Sequence, residues 1–338
     1  ILVTTKAGRR NQKAKISYDG YTGIQETTRT LPMLNAQEYV LLLNESYANA
    51  GQNLPFPNAS GYGVGTNWQD EVFQKAPVSS HNLRIDGGAE NINYSISGSH
   101  LFQEGIVGGD KASQRRNTAS IALNADLSEK LNISTKLYYT YRKSRGINSF
   151  SLGSVLFNAA NIAPIIDPSV DNLDGEINLG NEVVNPLTQI RNTFNSTRLN
   201  RLSGNFQASY DYAKNFELTG RIGFNTTETK GRDFAPIYNY GTGKIYTRDG
   251  NMVSLSNVND NDYTFDLFTT YDNTINESHD VTVTVGMTAY KTWGQGLFGS
   301  RTDVQSNSWE FADFNTATGT GDNQTNSSYA YDIRRLSY

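Results

Sequence analysis

Residues 202 to 225 alternate between apolar and polar side chains with a period of two, and this pattern restricts the fold more strongly than any other feature of the sequence. On one parity, residues 202 to 212 are apolar or glycine, whereas residues 203 to 211 on the other parity are polar. After a break at residues 213 to 215 the same alternation resumes. A period of two is that of an extended strand with one apolar and one polar face. The segment therefore predicts a β-hairpin.

The same hairpin pattern recurs along the chain and predicts about ten antiparallel strands. Further hairpins cover residues 83 to 96, 119 to 141 and 263 to 289, with single strands near Ile16 and Tyr329. The connections alternate in length: tight turns near residues 88, 129, 214 and 277 separate longer connections at 25 to 80, 106 to 115, 144 to 197, 230 to 261 and 294 to 327. Tight turns at one end and long loops at the other are typical of a transmembrane β-barrel. A soluble β-sandwich also alternates, but its strands average only about five to six residues.

The composition of the two parities supports the barrel. Ser, Thr, Asn, Gln and Asp dominate the polar parity, as in a hydrated lumen, and the apolar parity of the four clearest strands carries no charged side chain. A charge there matters because Arg or Lys at the midplane of a barrel costs about 2 to 4 kcal/mol. The predicted fold class is therefore all-β, with short helices in long extracellular loops.

Composition excludes several function classes. The chain has 29 basic and 33 acidic residues, a net charge of −4, so nucleic acid is not an expected partner. There is no Cys and there are three His, which removes thiolate chemistry and most His-based metal sites. The acidic stretches at 167 to 176 and 259 to 262 lack the pattern of a Ca²⁺ loop. No catalytic motif is present, and we expect no enzyme activity, no cofactor and no bound metal.

The long loops contain short helices and many aromatic residues. Asn35 is expected to cap a helix that ends by Gly51, residues 68 to 73 form a helical turn, and Pro186 begins a third helix. Function concentrates on loops that a rigid scaffold positions. The candidate substrate-binding residues are the loop aromatics Trp68, Tyr238 and Tyr240, whose flat rings can stack on a ligand.

Several landmarks resemble the SusC/RagA-like TonB-dependent outer-membrane transporters of Bacteroidota. The opening residues 1 to 8 are similar to the last strand of that family's plug domain. The other landmarks follow in family order: Leu34 to Tyr39, Trp68 to Phe73, His81 to Val107, Arg115-Arg116, Leu123 to Asp126 and Asn185 to Leu187.

The resemblance implies a domain organisation. Residues 1–8 end the plug, residues 9–14 form a linker, and residues 15–338 form the N-terminal part of a barrel of 22 strands. By this resemblance the chain is a partial one, to which about ten of those strands belong.

The resemblance also implies a function in the outer membrane. This function is energy-coupled import of oligomeric nutrients, glycans or peptides, together with a SusD-like surface lipoprotein. TonB-ExbB-ExbD would act through a region that precedes residue 1. Two alternatives remain open at this point: a siderophore or cobalamin receptor of the same membrane class, and a secreted carbohydrate-binding β-sandwich or adhesin.

Overall fold

The computed structural model describes residues 8–148, 151–176, 179–276, 279–319 and 324–338, and within them ten strands form one sheet. Every strand pairs antiparallel with its neighbours in chain order, so the sheet is a ten-stranded meander and the predicted fold class is confirmed. Its strands are β1 Gln12–Gln25, β2 Ala76–Gly88, β3 Ile92–Gly105, β4 Gly109–Ser128, β5 Leu131–Ser144, β6 Phe194–Ala213, β7 Phe216–Ala235, β8 Met252–Ile275, β9 His279–Thr302 and β10 Gln324–Ser337.

Several strands extend further towards the loops than the alternation predicts. The connection expected at 106 to 115 is a tight turn, because β4 begins at Gly109, and β8 begins at Met252, well before the expected position. On these extensions the apolar parity is interrupted by polar side chains such as Asn200 and Glu228, while the strand pairing continues unbroken. The alternation therefore marks only part of each strand, and the backbone ladder determines its full length.

The short turns lie at one end of the sheet, except for the β3–β4 turn at residues 106–108, which lies at the loop end. In the β6–β7 turn Asn215 adopts a positive φ of 66°, and in the β8–β9 turn Asn276 has a φ of 52°. Asparagine tolerates this left-handed conformation better than other residues with a β-carbon. Of the turn predicted near residue 277, Glu277 and Ser278 lie outside the described residues, as do residues 1 to 7 of the expected plug strand.

Four α-helices occupy the long connections: α1 Ala36–Asn49, α2 Trp68–Val72, α3 Val155–Asn161 and α4 Pro186–Arg191. Asn35 caps α1 through a capping box with Glu38, and Asn185 caps α4 ahead of its first residue, Pro186. The sequence predicted α1, α2 and α4 but not α3, whose N-terminus is capped by the side chain of Ser154. No helix in the described parts of the chain is long and apolar enough to cross a membrane.

The β1–β2 and β5–β6 loops pack into one body through a hydrophobic cluster. Trp68 and Val72 of α2 lie in it, together with Val155 and Ala159 of α3. Hydrogen bonds also join the two loops: the Thr66 hydroxyl donates to the carbonyl of Ile166 over 2.8 Å. The loop side is therefore a structured layer with its own core.

The two faces of the sheet differ sharply in chemistry. The face formed by the apolar parity leaves large side chains exposed in mid-strand, among them Phe206 and Ile222, with 47% and 40% of their surfaces accessible. In water such a face would be unfavourable, because each apolar side chain left exposed lacks the roughly 1.5 to 3 kcal/mol that its burial would contribute to stability. We refer to this face as the outer face and to the opposite one as the inner face.

Candidate functional site

The inner face carries a network of hydrogen-bonded polar side chains. Arg221 donates from Nε and Nη2 to one carboxylate oxygen of Asp266, over 2.9 and 2.8 Å, and the Thr288 hydroxyl donates to the other over 2.8 Å. Nearer the loops, Asn225 accepts from Arg201 at 2.6 Å and donates to Asp262 at 3.0 Å. Paired charges and amides of this kind are stable beside water, and the inner face has the chemistry of a hydrated channel wall.

A cavity of about 350 Å³ lies where this inner face meets the loops, and we call it the loop-side cavity. The strands supply Asn195, Asp233 and Ser254, all of the inner parity. The loops supply amide side chains and three tyrosines, Tyr238, Tyr240 and Tyr246. Two residues of the strands, Phe194 of β6 and Phe234 of β7, also line the cavity. An apolar cleft with a few convergent polar groups is the usual form of a ligand site.

The three tyrosines are held at fixed angles to one another. The ring centroids of Tyr238 and Tyr240 are 4.8 Å apart with an interplanar angle of 54°, and Tyr240 meets Tyr246 edge-on at 6.4 Å. The Tyr240 hydroxyl accepts a hydrogen bond of 3.2 Å from Asn192, and the Tyr246 hydroxyl donates to the carbonyl of Gly153 at 2.8 Å. Gly153 has a φ of 70°, and a β-carbon there would lie 2.5 Å from the Tyr246 hydroxyl, so this approach requires glycine.

Burial divides the tyrosines by role. Tyr240 is buried, with 5% of its surface accessible, and burial raises the pKa of its phenol to about 12. Tyr238 is half-buried, and its pKa is raised first by burial and then by its hydrogen bond to Asp171. Both hydroxyls are therefore protonated at neutral pH. The ring of Tyr238 is the more accessible of the two, and the buried ring of Tyr240 packs against it.

Asp171 anchors this arrangement from the β5–β6 loop. Its carboxylate accepts hydrogen bonds from the Thr188 hydroxyl and from the Arg191 guanidinium, and it bonds Tyr238. Burial acts to raise its pKa, but the hydrogen bonds from Thr188 and Tyr238 and the charge of Arg191 outweigh burial, so the pKa of Asp171 is lowered from its ordinary 3.8. The ionised carboxylate is the form that holds the loop.

We expect the contribution of Asp171 to loop stability to depend on pH in a defined direction. Because the folded-state pKa lies below the unfolded value of 3.8, the contribution is fully present above that value and is lost as the pH falls through the folded pKa. Hydrogen exchange of α4 amides should show that Asp171→Asn weakens protection by a constant amount from pH 5 to 7. Below about pH 4 the difference from wild type should shrink. A difference that grows on acidification would contradict the assignment.

Trp68 lies apart from the loop-side cavity. It is 3% accessible, belongs to the hydrophobic cluster between the loops, and donates from its indole nitrogen to the carbonyl of Ala163 at 3.1 Å. The structure therefore brings Tyr238 and Tyr240 together and places Trp68 in the packing that supports the loops. A direct contact of Trp68 with substrate stays a prediction from sequence.

The acidic stretches considered for Ca²⁺ have other partners. Asp171 binds Arg191 and Thr188, Asp174 accepts from the backbone of Thr242, and Asp262 accepts from Asn225. Across residues 8–148, 151–176, 179–276, 279–319 and 324–338 no three or more His, Asp or Glu side chains group as a metal site.

Sequence reasoning missed the buried amides that shape the loops. Asn158 and Asn185 have no accessible surface. Asn158 donates to Gln189 at 2.8 Å, and Asn185 donates to the carbonyls of Pro168 and Val170 at 2.9 and 2.8 Å. In the sequence, Asn185 stands out only as the residue before Pro186, which begins the predicted helix. Its contacts with residues 15 and 17 positions earlier leave no local signal in the sequence.

Comparison with known proteins finds similar sequences that are named TonB-dependent receptors. No family model matches the chain. TonB-dependent receptor P26 of Formosa agariphila is 28% identical over 301 residues, which cover 86% of this chain and 29% of that protein. TonB-dependent receptor SusC of Bacteroides thetaiotaomicron is 32% identical over 139 residues, 40% of this chain and 13% of SusC. The chain thus spans less than a third of the length of these relatives.

A solved structure shares the fold. The RagAB peptide importer in its closed-closed state superposes with a TM-score of 0.80 at 17% identity, over 98% of this chain and 40% of the matched chain. At this identity the match establishes the fold alone. The ten-stranded meander and its loop layer therefore correspond to part of a known β-barrel.

Proposed function

Because the chain belongs to the TonB-dependent receptors of the SusC/RagA type, we propose that it forms the N-terminal part of the wall of an outer-membrane importer. Residues 1–8 end the plug, and residues 9–14 join it to the barrel, although β1 already begins at Gln12 within this segment; residues 15–338 supply the rest of the ten strands. The remaining strands of the barrel pair with the free edges of β1 and β10, because an open sheet edge is not tolerated in lipid.

One observation carries this proposal: the sheet has an exposed apolar outer face and a hydrogen-bonded polar inner face that leads to the loop-side cavity. Phe206 faces lipid in the barrel, and Arg221 with Asp266 faces the channel. Tyr238 stands at the mouth of the channel, where an arriving solute meets the protein first. This order of surfaces is that of a transport route through a membrane.

The substrate class we propose is an oligomeric nutrient, either a glycan or a peptide. Tyrosine rings stack on sugar faces and on peptide side chains, and the amide groups of Asn148, Gln189 and Asn192 provide donors and acceptors along the same cavity. A SusD-like surface lipoprotein captures the substrate over the loops, and TonB-ExbB-ExbD supplies energy through the plug. The RagAB relative is itself named a peptide importer, which supports an oligomer over a small solute.

Uptake measured in cells that carry the full-length receptor tests the proposal. Deletion of TonB should abolish uptake of labelled oligosaccharides or peptides while receptor abundance at the surface stays normal. Uptake that persists without TonB would contradict energy coupling. Uptake of an iron chelate in place of every oligomer would favour the siderophore alternative.

Tyr238→Ala tests the cavity itself. We expect uptake at limiting substrate to fall about fivefold, since truncation of an aromatic contact costs on the order of 1 kcal/mol. Tyr62→Ala is the matched control, because Tyr62 is a partly exposed loop tyrosine that does not line the loop-side cavity. Equal effects of the two variants would show that the loop-side cavity is not part of the transport route.

A further inference from the structure

Four cations lie side by side on the outer face near the loop end of the sheet. Arg115 of β4 pairs with Lys143 of β5, Lys143 with Arg198 of β6, and Arg198 with Lys230 of β7. All four follow the parity of the lipid-facing residues on their strands. We call them the cationic row. Directly opposite side chains in an antiparallel pair have β-carbons about 4.5 to 5.5 Å apart, so like charges here repel one another.

Few carboxylates offset this repulsion. Glu228 reaches Lys230 at 2.6 Å, and Asp110 reaches the neighbouring Arg145 at 3.8 Å. Within the part of the chain that the structure describes, no carboxylate forms an ion pair with Lys143 or Arg198. The centre of the cationic row therefore keeps an uncompensated positive charge, which an external anion would stabilise.

A groove of about 630 Å³ adjoins the cationic row on the same wall. The β9–β10 loop, residues 303–319, bends down over the outer face and closes one side of it: Trp309 stacks on Phe194 with centroids 6.1 Å apart, and Arg232 donates to the carbonyl of Ala312 at 2.7 Å. The groove combines charged and apolar lining, from Lys143, Arg198 and Lys230 on one side and Leu255, Leu297 and Phe314 on the other.

The height of the cationic row matches that of a lipid head group. Tyr139 and Tyr141 precede Lys143 on the same face of β5. Along the strand pairing, Trp293 of β9 lies in the row of Tyr139, and Tyr263 of β8 lies one row farther from the loops. Such girdles mark the membrane boundary. Lys143 lies two residues beyond Tyr141, or roughly 7 Å towards the loops. With the membrane boundary at these aromatic side chains, we expect the phosphates of the adjoining leaflet at about that level.

Closure of the sheet into a barrel would not cover the cationic row. Strands β4 to β7 are in the middle of the sheet, whereas any further strands join at the edges, β1 and β10. The outer wall at Lys143 and Arg198 thus remains on the exterior in a closed barrel. Across its three strand spacings the row extends for about 14 Å, which suits a head group with more than one phosphate.

We propose that the cationic row and its groove bind the phosphorylated head group of a lipid in the adjoining leaflet, with its acyl chains against the apolar wall below. This site is separate from the loop-side cavity and serves to fix the receptor in its membrane. The proposal rests on the membrane placement proposed above.

The test uses the full-length receptor in nanodiscs of phosphatidylcholine, with bisphosphorylated lipid A as the probe and native mass spectrometry as the measurement. Wild type should retain lipid A. The double variant Lys143→Gln with Arg198→Gln should bind about 25-fold more weakly, because each cation near an anionic lipid surface contributes a factor of about five. Swapping the two as Lys143→Arg with Arg198→Lys keeps the charge and should keep the binding.

The matched control removes the same charge from the opposite face. Arg116 and Arg201 lie on β4 and β6 with inner parity, and replacing both by Gln should leave lipid A retention unchanged. Equal retention by the Lys143 and Arg198 double variant would overturn the proposal. So would displacement of lipid A by inorganic phosphate, or a receptor dimer that dissociates only in that double variant. If the receptor fails to enter nanodiscs at all, the membrane placement itself is wrong.

Discussion

Phe265→Arg is expected to reduce insertion of the full-length receptor by about 2 to 4 kcal/mol, which corresponds to the cost of a basic side chain near the midplane of a barrel. Phe265 lies between Ile222 and Ala289 on the outer face, in the part of β8 between Tyr263 of the aromatic girdle and Tyr271 near the β8–β9 turn. The guanidinium would enter hydrocarbon, and neither of its strand partners, Ile222 and Ala289, offers it a carboxylate. Heat-modifiable mobility of the receptor extracted from outer membranes measures the folded, inserted fraction.

Thr264→Arg is the matched control for this prediction. Thr264 is the adjacent residue on β8, but it has inner parity, with Asp262 and Asp266 two residues away on the same face. An arginine there meets water and carboxylates, so we expect insertion close to wild type. If both variants insert equally well, or if Thr264→Arg is the more damaging, then the outer face has been assigned to the wrong side.

Asn185→Ala is expected to destabilise the β5–β6 loop by at least about 2 kcal/mol. The substitution removes the cap of α4, which typically contributes about 1 kcal/mol, and leaves the carbonyls of Pro168 and Val170 without their donor. Because Asn185 is fully buried, water does not replace those bonds. Limited proteolysis of the receptor in membranes should show faster cleavage within residues 145–193.

Asn172→Ala provides the comparison for the loop. Asn172 is an exposed asparagine of the same loop whose hydrogen bonds are local: it accepts from the backbone nitrogen of Asp174 at 2.8 Å and bonds the carboxylate of that residue. Its replacement should change cleavage very little. Similar cleavage rates for the two variants would show that burial of Asn185 contributes nothing to loop stability.

Weaker packing of the β5–β6 loop should also disturb the arrangement of residues at the loop-side cavity. Asn185 sits at the start of α4, and that helix carries Thr188 and Arg191, which bind Asp171 beside Tyr238. We therefore expect Asn185→Ala to lower uptake more than Tyr238→Ala does.

The sequence by itself determined the strands, their order and, for β1 to β9, the two faces of the sheet. On β10 the apolar parity lies on the inner face, where the Tyr331 hydroxyl donates to Asp260 at 2.9 Å. A period of two in residues such as Phe206 and Gln207 requires only the geometry of an extended backbone, and a tight turn like the one at Asn215 forces the next strand to pair with the last. Local helix-start signals likewise predicted α1 from the cap Asn35 and α4 from Pro186 at its first position. These features depend on neighbours in the chain, so they can be read from it.

Tertiary structure alone decided which loop residues form a site and which form a core. Trp68 and Tyr240 look alike in sequence as loop aromatics, yet Trp68 packs between two loops while Tyr240 lines the loop-side cavity. The cationic row depends in the same way on strand register, because Arg115 and Lys230 are distant in sequence and become near neighbours only through β5 and β6. Contacts of this kind arise from long-range pairing, and no local pattern encodes them.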